Sequence, residues 1–352
     1  MKGYGVIKVG RPGWLEKEKP VAGPLDAIIR PTVLAPCSSD THSMHGGAGP
    51  KENLILGHEA VGEVVETGSM VRNFKPGDKV VVPCVTPDWT GRYIQEGKYN
   101  AHDNGLMGGF KFLLSKDGTF AEFFHVNMAD ANLVGLPENI APEAALMTVD
   151  MMSTGFHVVE LADVSYGETV VVIGIGPVGL MAVAGAQLKG AGRIIVVGTR
   201  PNCVKIAKEY GANDVVSYKD GDIVEQVKDL AGGKADKVII AGGNAATLTQ
   251  AILMVKPTGI VSNVNYYDAA DTFTVPAPTW GLGMANIDIR GGFCPGGAVR
   301  IEKLINVIKH KRIDPTKLIT HRFDGFEKIE DAFMLMDKKP PDLIKPAVFI
   351  KW

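Results

Sequence analysis

Three short segments in the first 150 residues carry side chains that commonly bind metal ions. They are Cys37-Ser-Ser-Asp-Thr-His42, Gly57-His58-Glu59 and Val149-Asp150. A catalytic zinc takes three protein ligands from Cys, His and carboxylate side chains and keeps another position open for substrate or water. Taken one at a time, these residues are weak indicators, because a lone Cys is usually a small buried apolar residue and a lone Asp is usually a helix cap. The residue types permit a catalytic zinc site without establishing one.

A glycine-rich segment in the middle of the chain has the form of a dinucleotide-binding turn. Gly174-Ile-Gly-Pro-Val-Gly179 follows a β-branched run at residues 169–173 and precedes a stretch that favours a helix. In this setting the glycines allow a tight turn and let a pyrophosphate approach the N–H groups at the helix N-terminus. The alternative is a tight strand-to-helix turn with no ligand. We expect contacts to a dinucleotide from Gly174, Gly176, Pro177, Val178 and Gly179.

The end of the next predicted strand favours NADP over NAD. An Asp or Glu about 20 residues beyond the glycines normally binds the adenosine ribose hydroxyls. This chain has Gly198-Thr199-Arg200 there instead. No acidic side chain repels a 2′-phosphate, Thr199 offers a hydroxyl, and the Arg200 guanidinium offers several hydrogen bonds. Tyr218 could close the same pocket, whereas the alternative for Arg200 is a solvated surface charge.

Strand and helix patterns divide the 352 residues into two predicted domains. From about residue 168, apolar strands alternate with helical stretches, which favours a parallel sheet with helices on both faces. Before that point, short strand-like runs lie between Gly, Pro and Asp turns, at residues 27–30, 62–66, 79–83 and 120–126. The predicted domains are residues 1–152 and 153–295. Residues 296–352 are expected to return to the first domain.

Composition and charge exclude several classes of protein. Hydrophobic residues make up 45% of the chain, charged residues 22%, and the net charge is −2, so neither nucleic acid nor an anionic membrane is an expected partner. Four scattered cysteines form no C-x-x-C pair, and the N-terminus lacks the apolar core of a signal peptide, which favours a reducing, cytoplasmic setting. Residues 169–188 are uncharged, but their glycines and Pro177 favour a buried strand turning into a helix over a membrane span.

Several segments together resemble the zinc-dependent medium-chain alcohol dehydrogenases. Gly57-His58-Glu59-Ala60-Val61-Gly62, with Gly68 following, is similar to their zinc signature, and Gly77-Asp78-Lys79-Val80 to their next landmark. Further segments resemble the NADP-dependent secondary alcohol dehydrogenases of bacteria and anaerobic protists: Cys37-Ser-Ser-Asp-Thr-His42, Val82-Pro83 with Thr86-Pro-Asp-Trp89, Asp150-Met-Met-Ser-Thr-Gly-Phe-His157, and Asp342-Leu-Ile-Lys345. The resemblance covers nearly the whole chain. It implies an α/β fold with a β-rich, GroES-like catalytic domain and a Rossmann domain whose doubly wound parallel sheet binds the cofactor.

The resemblance also implies a role for each candidate residue. Cys37, His58 and Asp150 would bind one catalytic zinc, Asp150 standing where many relatives have a second cysteine, and Glu59 would be an adjacent carboxylate able to approach the metal. Zinc polarises a carbonyl or lowers the pKa of an alcohol, so that hydride can leave for the nicotinamide. Ser39 would hand the alcohol proton onward, and His42 would belong to the relay to solvent. The remaining implied cofactor contacts are Gly198, Thr199, Arg200 and Tyr218 at the 2′-phosphate, with Asn265 and Tyr266.

Without the resemblance, Ser39 and His42 have simpler interpretations. Ser39 is then a turn residue, and His42 makes a contact at a helix start. These alternatives stay open on the residues alone.

The same resemblance predicts a substrate pocket and the number of metal ions. The pocket would be lined by Ser39, Cys84, Val85, Phe110 and Cys294. Phe110 replaces a tryptophan of well-known members, so we expect a modestly larger pocket that tolerates bulkier ketones, although ordinary core packing is the alternative for this ring. Residues 85–120 contain no cysteine, so the structural zinc of many relatives is expected to be absent.

The predicted function is interconversion of small secondary alcohols and ketones, and of some aldehydes, by an NADP-dependent zinc enzyme that forms a homotetramer. One alternative is a zinc-free quinone or enone reductase of the same fold, which would have no use for Cys37, His58 and Asp150 together. The other is a non-catalytic NADPH-binding protein, because a fold does not establish a function.

Overall fold

The chain divides into two units, one of which is assembled from both ends of the sequence. The computed structural model describes residues 1–47, 49–96, 108–267 and 272–352. Met1–Ser153 and Cys294–Trp352 form one unit, called here the terminal unit, and Thr154–Phe293 form the central unit.

The first part of the terminal unit consists of short strands joined by turns. Its strands are rich in β-branched residues, which suit a pleated surface, and glycine, proline and aspartate occupy the turns between them. A π-helical turn, Thr148–Met152, follows the last helix of this part. In chain order the elements are β1 (Lys2–Lys8), β2 (Arg11–Glu16), β3 (Ala27–Leu34), α1 (Ser38–Met44), β4 (Leu54–Ile55), β5 (Ala60–Thr67), β6 (Lys79–Val82), α2 (Arg92–Gln95), β7 (Phe124–Val126), α3 (Ala129–Asn132), β8 (Val134–Gly135) and α4 (Pro142–Met147).

The central unit alternates strands with helices. α5 (Ser153–Leu161) leads into it, and the elements that follow are β9 (Thr169–Ile173), α6 (Pro177–Leu188), β10 (Arg193–Val197), α7 (Pro201–Glu209), β11 (Asp214–Val216), α8 (Ile223–Ala231), β12 (Ala235–Ile240), α9 (Ala246–Met254), β13 (Val255–Asn263), α10 (Ala277–Trp280) and β14 (Asp288–Gly291).

Within the described residues of the central unit, the six strands form one parallel sheet in the order β11-β10-β9-β12-β13-β14. This is the doubly wound order of the Rossmann fold, in which ligands bind at the carboxyl ends of the strands where the order reverses. Residues in the middle of β9 and β10 are buried at successive positions, because helices cover both faces. The predicted fold class is confirmed here.

The C-terminal residues complete the sheet of the terminal unit. They form α11 (Ala298–Lys309), β15 (Ile319–Asp324), α12 (Ile329–Lys338) and β16 (Lys345–Phe349). β16 pairs antiparallel with β3 and parallel with β15. The resulting seven-stranded sheet has the order β15-β16-β3-β5-β6-β8, with β7 also paired to β3.

The predicted strand at residues 120–126 was wrong in its extent. Only Phe124–Val126 forms β7, on the edge of β3. Phe120 instead accepts a backbone hydrogen bond of 2.8 Å from Tyr4, and Ala121 forms an isolated bridge with Gly3 of β1. The segment therefore passes from one sheet to another, a change of partner that an alternating pattern does not encode.

The uncharged stretch at residues 169–188 forms β9 and α6, with the glycine turn between them. Within the described ranges, no helix combines the length and the apolar composition needed to cross a bilayer.

Candidate functional site

Four side chains from three distant segments meet in the interior of the terminal unit. They are Cys37, His58, Glu59 and Asp150, all of them buried, and their potential ligand atoms all lie within 4.8 Å of one another. Asp150 Oδ2 lies 3.5 Å from Cys37 Sγ and 3.4 Å from His58 Nε2. One thiol, one imidazole and two carboxylates at this spacing form a donor set suited to a single divalent cation such as zinc.

Local backbone structure turns each of these side chains toward the others. Cys37 is extended and immediately precedes α1, while His58 and Glu59 lie just before β5. Asp150 lies at the centre of the π-helical turn that separates α4 from α5. A π-helical turn changes the direction of side chains within a helical run, and such turns occur often at functional sites.

A further carboxylate, that of Asp40, contacts two of these residues, Cys37 and His58. Its Oδ2 accepts a hydrogen bond of 2.8 Å from the backbone N–H of Cys37, and its Oδ1 accepts one of 2.9 Å from Gly57. The same Oδ1 lies 3.3 Å from His58 Nδ1, which leaves Nε2 to face Asp150. Burial alone would lower the pKa of His58, but the charge of Asp40 and hydrogen bonds to Asp150, Asp40 and Cys37 hold it well above its ordinary value.

Glu59 is held by a buried lysine on the other side of the cluster. Its Oε1 accepts a hydrogen bond of 2.5 Å from Lys345 Nζ, and both side chains are almost wholly inaccessible to solvent. Its Oε2 is buried and has no hydrogen-bond partner among the described residues. Burial raises the pKa of Glu59, and the charge of Lys345 opposes that rise. A buried, unpartnered carboxylate oxygen beside a thiol, an imidazole and a second carboxylate fits a metal ligand set.

The two residues predicted to move a proton lie on α1 beside this cluster. Ser39 Oγ is 3.7 Å from Cys37 Sγ. His42 follows three positions later, so the two side chains share a helix face.

The four further residues predicted for a substrate pocket are all buried in the terminal unit. The ring of Phe110 packs edge-on against His58, with centroids 5.3 Å apart. A hydrogen bond to Cys294, together with burial, holds the pKa of the Cys84 thiol well above its ordinary value. Val85 accepts a backbone hydrogen bond from Gly297. The structure thus places the Phe110 ring against His58 and joins Cys84 to Cys294 by a hydrogen bond.

A cavity of about 600 Å³ lies at the carboxyl ends of β9 and β10 in the central unit. Six of the residues predicted to bind the cofactor line it, namely Gly174, Gly176, Gly198, Thr199, Arg200 and Tyr218. Thr199 donates a hydrogen bond of 2.7 Å to the hydroxyl of Tyr218. The Arg200 guanidinium lies over the glycine turn, since a Cβ added to Gly176 would be 3.7 Å from its Nη2.

Two glycines of this turn are required by its geometry. Gly174 has a φ of +88°, a conformation that strains L side chains, and a Cβ added to Gly179 would lie 1.8 Å from the carbonyl oxygen of Gly174. The first glycine therefore allows the turn, and the last allows α6 to pack against it.

The other predicted cofactor residues lie elsewhere in the central unit. Pro177, Val178 and Gly179 form the first turn of α6. Asn265 and Tyr266 follow the end of β13 and are not among the described residues that line the cavity. Burial raises the pKa of Tyr267, and a side-chain hydrogen bond from Asn265 opposes that rise.

Comparisons with known proteins identify the family of the chain. Residues 23–138 match the family model of the alcohol dehydrogenase GroES-like domain, and residues 177–310 match that of the zinc-binding dehydrogenases. The chain is 58% identical to the NADP-dependent isopropanol dehydrogenase of Thermoanaerobacter brockii over 99% of its own length and 100% of the relative's. It belongs to the zinc-binding alcohol dehydrogenases.

Further relatives of this dehydrogenase agree with that assignment. It is 55% identical to the NADP-dependent isopropanol dehydrogenase of Entamoeba histolytica, over 100% of this chain and 96% of that protein. Among solved structures, alcohol dehydrogenase TADH from Thermus sp. ATN1 superposes with a TM-score of 0.87 at 29% identity, covering 100% of both chains. The predicted family resemblance is confirmed.

Two residues that contact the candidate metal cluster, Asp40 and Lys345, were not predicted from the sequence. Asp40 had a local signal, since an acidic residue three positions after the residue that precedes a helix often caps the helix N-terminus. Lys345 ends the segment Asp342-Leu-Ile-Lys345, which resembles the family, but no role was predicted for it. Its signal was a lysine at the head of an apolar strand, which requires a partner of opposite charge if it is buried.

Replacing Asp40 with asparagine is expected to lower zinc affinity about 10- to 100-fold, the usual effect of losing a carboxylate that orients a ligating histidine. Asparagine nearly preserves the shape but removes the charge that faces His58. The measurement is zinc dissociation in competition with a chromogenic chelator. Asp26→Asn is the matched control, because Asp26 also bonds a histidine, His125, and a backbone N–H. Equal zinc affinity of Asp40→Asn and wild type would refute this role.

Proposed function

We propose that this dehydrogenase interconverts small secondary alcohols and ketones, and some aldehydes, with NADP(H) and a single catalytic zinc. The observation that carries the proposal is the buried cluster of Cys37, His58, Glu59 and Asp150 in a chain with this family membership. Relatives 54% to 58% identical over nearly the full length carry the name NADP-dependent isopropanol dehydrogenase. A zinc-free reductase of the same fold would have no use for this ligand set.

The residues of the terminal unit have distinct proposed roles. Cys37, His58 and Asp150 hold the metal, with Glu59 as an adjacent carboxylate. When bound, zinc supplies a Lewis acid for the substrate oxygen, and NADP⁺ supplies a hydride acceptor. The Ser39 hydroxyl accepts the alcohol proton as it donates its own proton toward His42, and the relay through His42 releases one proton to solvent. Phe110, Cys84, Val85 and Cys294 form the apolar wall around the substrate.

The proposed preference for NADP over NAD rests on residues 198–200, which follow β10, and on Tyr218. Arg200, Thr199 and Tyr218 hold the 2′-phosphate of the adenosine ribose, and Gly198 leaves room for it. Thr199 and Tyr218 are already hydrogen-bonded to each other, which lowers the entropic cost of ordering them around a phosphate. Asn265 and Tyr266 are proposed to contact the cofactor as well.

A structural zinc is not part of the proposal. Residues 85–120 contain no cysteine, and residues 97–107 of that stretch lie outside the described part of the chain. One zinc per chain is therefore the expected stoichiometry.

Initial rates on a panel of carbonyl compounds test the proposed function. We expect NADPH to be oxidised with acetone and butanone far faster than NADH, and activity to fall with chelation of about one zinc per chain. Because Phe110 is smaller than tryptophan, activity should extend to ketones beyond four carbons and to an aryl ketone. A steep loss beyond four carbons would contradict the enlarged pocket. Activity that survives loss of zinc would favour a zinc-free reductase, and tight NADPH binding without turnover a non-catalytic protein.

We further propose a cytoplasmic homotetramer. All four cysteines are buried thiols that form no disulfide, which suits a reducing compartment. β14 is an edge strand of the central sheet; Ile289 within it is 43% exposed, and Met284 shortly before it is 83% exposed. An edge strand flanked by exposed apolar side chains favours pairing with another chain. Sedimentation equilibrium should give four times the mass of 37.6 kDa.

A further inference from the structure

Cys84 and Cys294 are two buried thiols that meet in the terminal unit although they lie far apart in sequence. They are 2% and 1% exposed, and a hydrogen bond joins their side chains. Cys84 follows β6, and Cys294 begins the segment that returns to the terminal unit. Neither forms a disulfide, and neither belongs to the metal cluster. Two thiols in contact offer a chemistry that a single buried cysteine lacks, because one atom can bond to both.

Backbone contacts hold the two cysteine-bearing segments side by side. The N–H of Gly297 donates a hydrogen bond of 3.2 Å to the carbonyl oxygen of Val85. A Cβ added to Gly296 would lie 2.4 Å from the same oxygen, so the two backbones are in direct contact. On its other side, the N–H of Cys84 donates a hydrogen bond of 3.3 Å to the carbonyl oxygen of Val149, in the π-helical turn. The thiol pair is therefore fixed in place beside the turn that contributes to the metal cluster.

This pair suits a bridging atom better than a disulfide. The sulfur atoms of a disulfide lie about 2.05 Å apart, much closer than two hydrogen-bonded thiols. The hydrogen bond to Cys294 and burial also hold the pKa of the Cys84 thiol well above its ordinary value. A protonated thiol is a poor nucleophile toward a peroxide or another disulfide. An electrophile that bonds to both sulfurs, and carries groups able to take up their protons, fits the pair as it stands.

Trivalent arsenic has this chemistry. Arsenous acid, As(OH)₃, is uncharged at neutral pH and similar in size to the smallest secondary alcohols, so it enters a buried site without the cost of desolvating an ion. Its soft central atom prefers thiol sulfur as a ligand. Each thiol forms an As–S bond while an As–O bond breaks, and the thiol proton leaves with that hydroxyl group as water. Two thiols release two water molecules, the third hydroxyl stays on arsenic, and no atom changes its oxidation state.

We propose that Cys84 and Cys294 form a dithiol site for trivalent arsenic, and that arsenic bound there blocks the approach of substrate to the metal cluster. The site itself depends only on the contact between the two thiols. The block rests on the proposed function, which places both residues in the wall around the substrate. The remaining cysteines are Cys37, in the metal cluster, and Cys203, on α7 of the central unit, whereas the other three cysteines belong to the terminal unit.

The test is incubation of the zinc-loaded protein with sodium arsenite, followed by dialysis and measurement of arsenic and zinc by atomic emission. We expect arsenic to bind in a ratio of one per chain while zinc is retained, and arsenic X-ray absorption to show both sulfur and oxygen neighbours. Oxidation of a secondary alcohol should be lost, and saturating alcohol should slow that loss. Dithiothreitol should restore activity where 2-mercaptoethanol does not, because only a dithiol competes with attachment at two points.

Cys84→Ala and Cys294→Ala each leave a single thiol at the site. Each should raise the arsenite concentration needed for half-occupancy about a hundredfold, because the second As–S bond forms within one site. Arsenic content measures this effect without reference to the activity of the variants. Cys84→Ser nearly preserves the shape of the side chain, and it should show the same loss even if the alanine variant folds poorly. Cys203→Ala is the matched control, since it removes a buried thiol of the central unit, and it should bind arsenic like wild type.

The outcomes separate this inference from the proposed function. Equal arsenic binding by wild type, Cys84→Ala and Cys294→Ala would overturn the dithiol site, and so would arsenic that binds only as zinc is lost, because its ligand would then be Cys37. Arsenic that binds this pair without slowing alcohol oxidation would overturn the proposed block. An active zinc enzyme that binds no arsenic refutes this inference alone, whereas protein that binds arsenic at the pair but oxidises no alcohol refutes the proposed function alone.

Discussion

Replacing Asp150 with alanine is expected to remove zinc from the site and to lower kcat with a secondary alcohol about a thousandfold. Asp150 Oδ2 is the atom that joins the cluster, at 3.5 Å from Cys37 Sγ and 3.4 Å from His58 Nε2. A bound metal contributes several kcal/mol to stabilising charge at the reacting oxygen, and each 1.36 kcal/mol of barrier is about tenfold in rate. Metal content by atomic emission and steady-state rates after zinc supplementation measure the two effects.

The matched variant is Asp150→Cys. A thiolate is an ordinary zinc ligand. With a cysteine at position 150, the metal would again have three protein donors, namely two thiolates and the imidazole of His58. We expect Asp150→Cys to keep close to one zinc per chain and most of the activity that Asp150→Ala loses. If the alanine variant retains a full complement of zinc and normal kcat, Asp150 is not a ligand.

Signals in the sequence were sufficient for the strand, glycine turn and helix that begin the sheet of the central unit, because these signals are local. The β-branched run at Thr169–Ile173, the glycine turn and the first turn of α6 are continuous in the chain, and each gives its own structural consequence. Successive burial in β10 followed from helices on both faces. The place of Arg200 beside the glycine turn followed from the doubly wound topology.

The metal cluster could not be assembled from local signals. Cys37 and Asp150 are 113 residues apart, and no period or turn preference connects them. Only the resemblance to a family joined these residues in the sequence. No π-helical turn at Asp150 was predicted from the sequence either, and the structure places one at Thr148–Met152, between α4 and α5.

Supporting residues were harder to identify than ligands because their roles depend on what is buried beside them. Asp40 lies only three positions after Cys37, yet its bond toward His58 becomes apparent only when β5 is placed against α1. Lys345 requires a partner 286 residues away. Buried charges are thus a useful guide after the fold is known, because each must be compensated by a specific neighbour.

Replacing Arg200 with alanine is expected to raise the KM for NADPH about 10- to 100-fold while leaving the KM for NADH almost unchanged. Hydrogen bonds to a charged group contribute about 1.5–3 kcal/mol each, and 1.4 kcal/mol is about tenfold in affinity. Only NADPH carries the 2′-phosphate, so only its binding should weaken. Because Arg200 lies far along the cofactor from the reacting carbon, kcat with saturating NADPH should stay close to that of wild type.

Arg193→Ala provides the control for loss of a positive charge in the same unit. Arg193 begins β10 and pairs with Asp214, with 39% of its side chain exposed, and it does not line the cofactor cavity within the part of the chain described. Its replacement should change neither KM. Introducing an acidic residue at Gly198 is expected to be a less effective way to change the cofactor preference to NADH. A Cβ at this position would lie 2.3 Å from Ile175 Cγ1. If Arg200→Ala weakened NADPH and NADH equally, the guanidinium would bind a part common to both cofactors, and the preference for NADP would have to come from Thr199 and Tyr218.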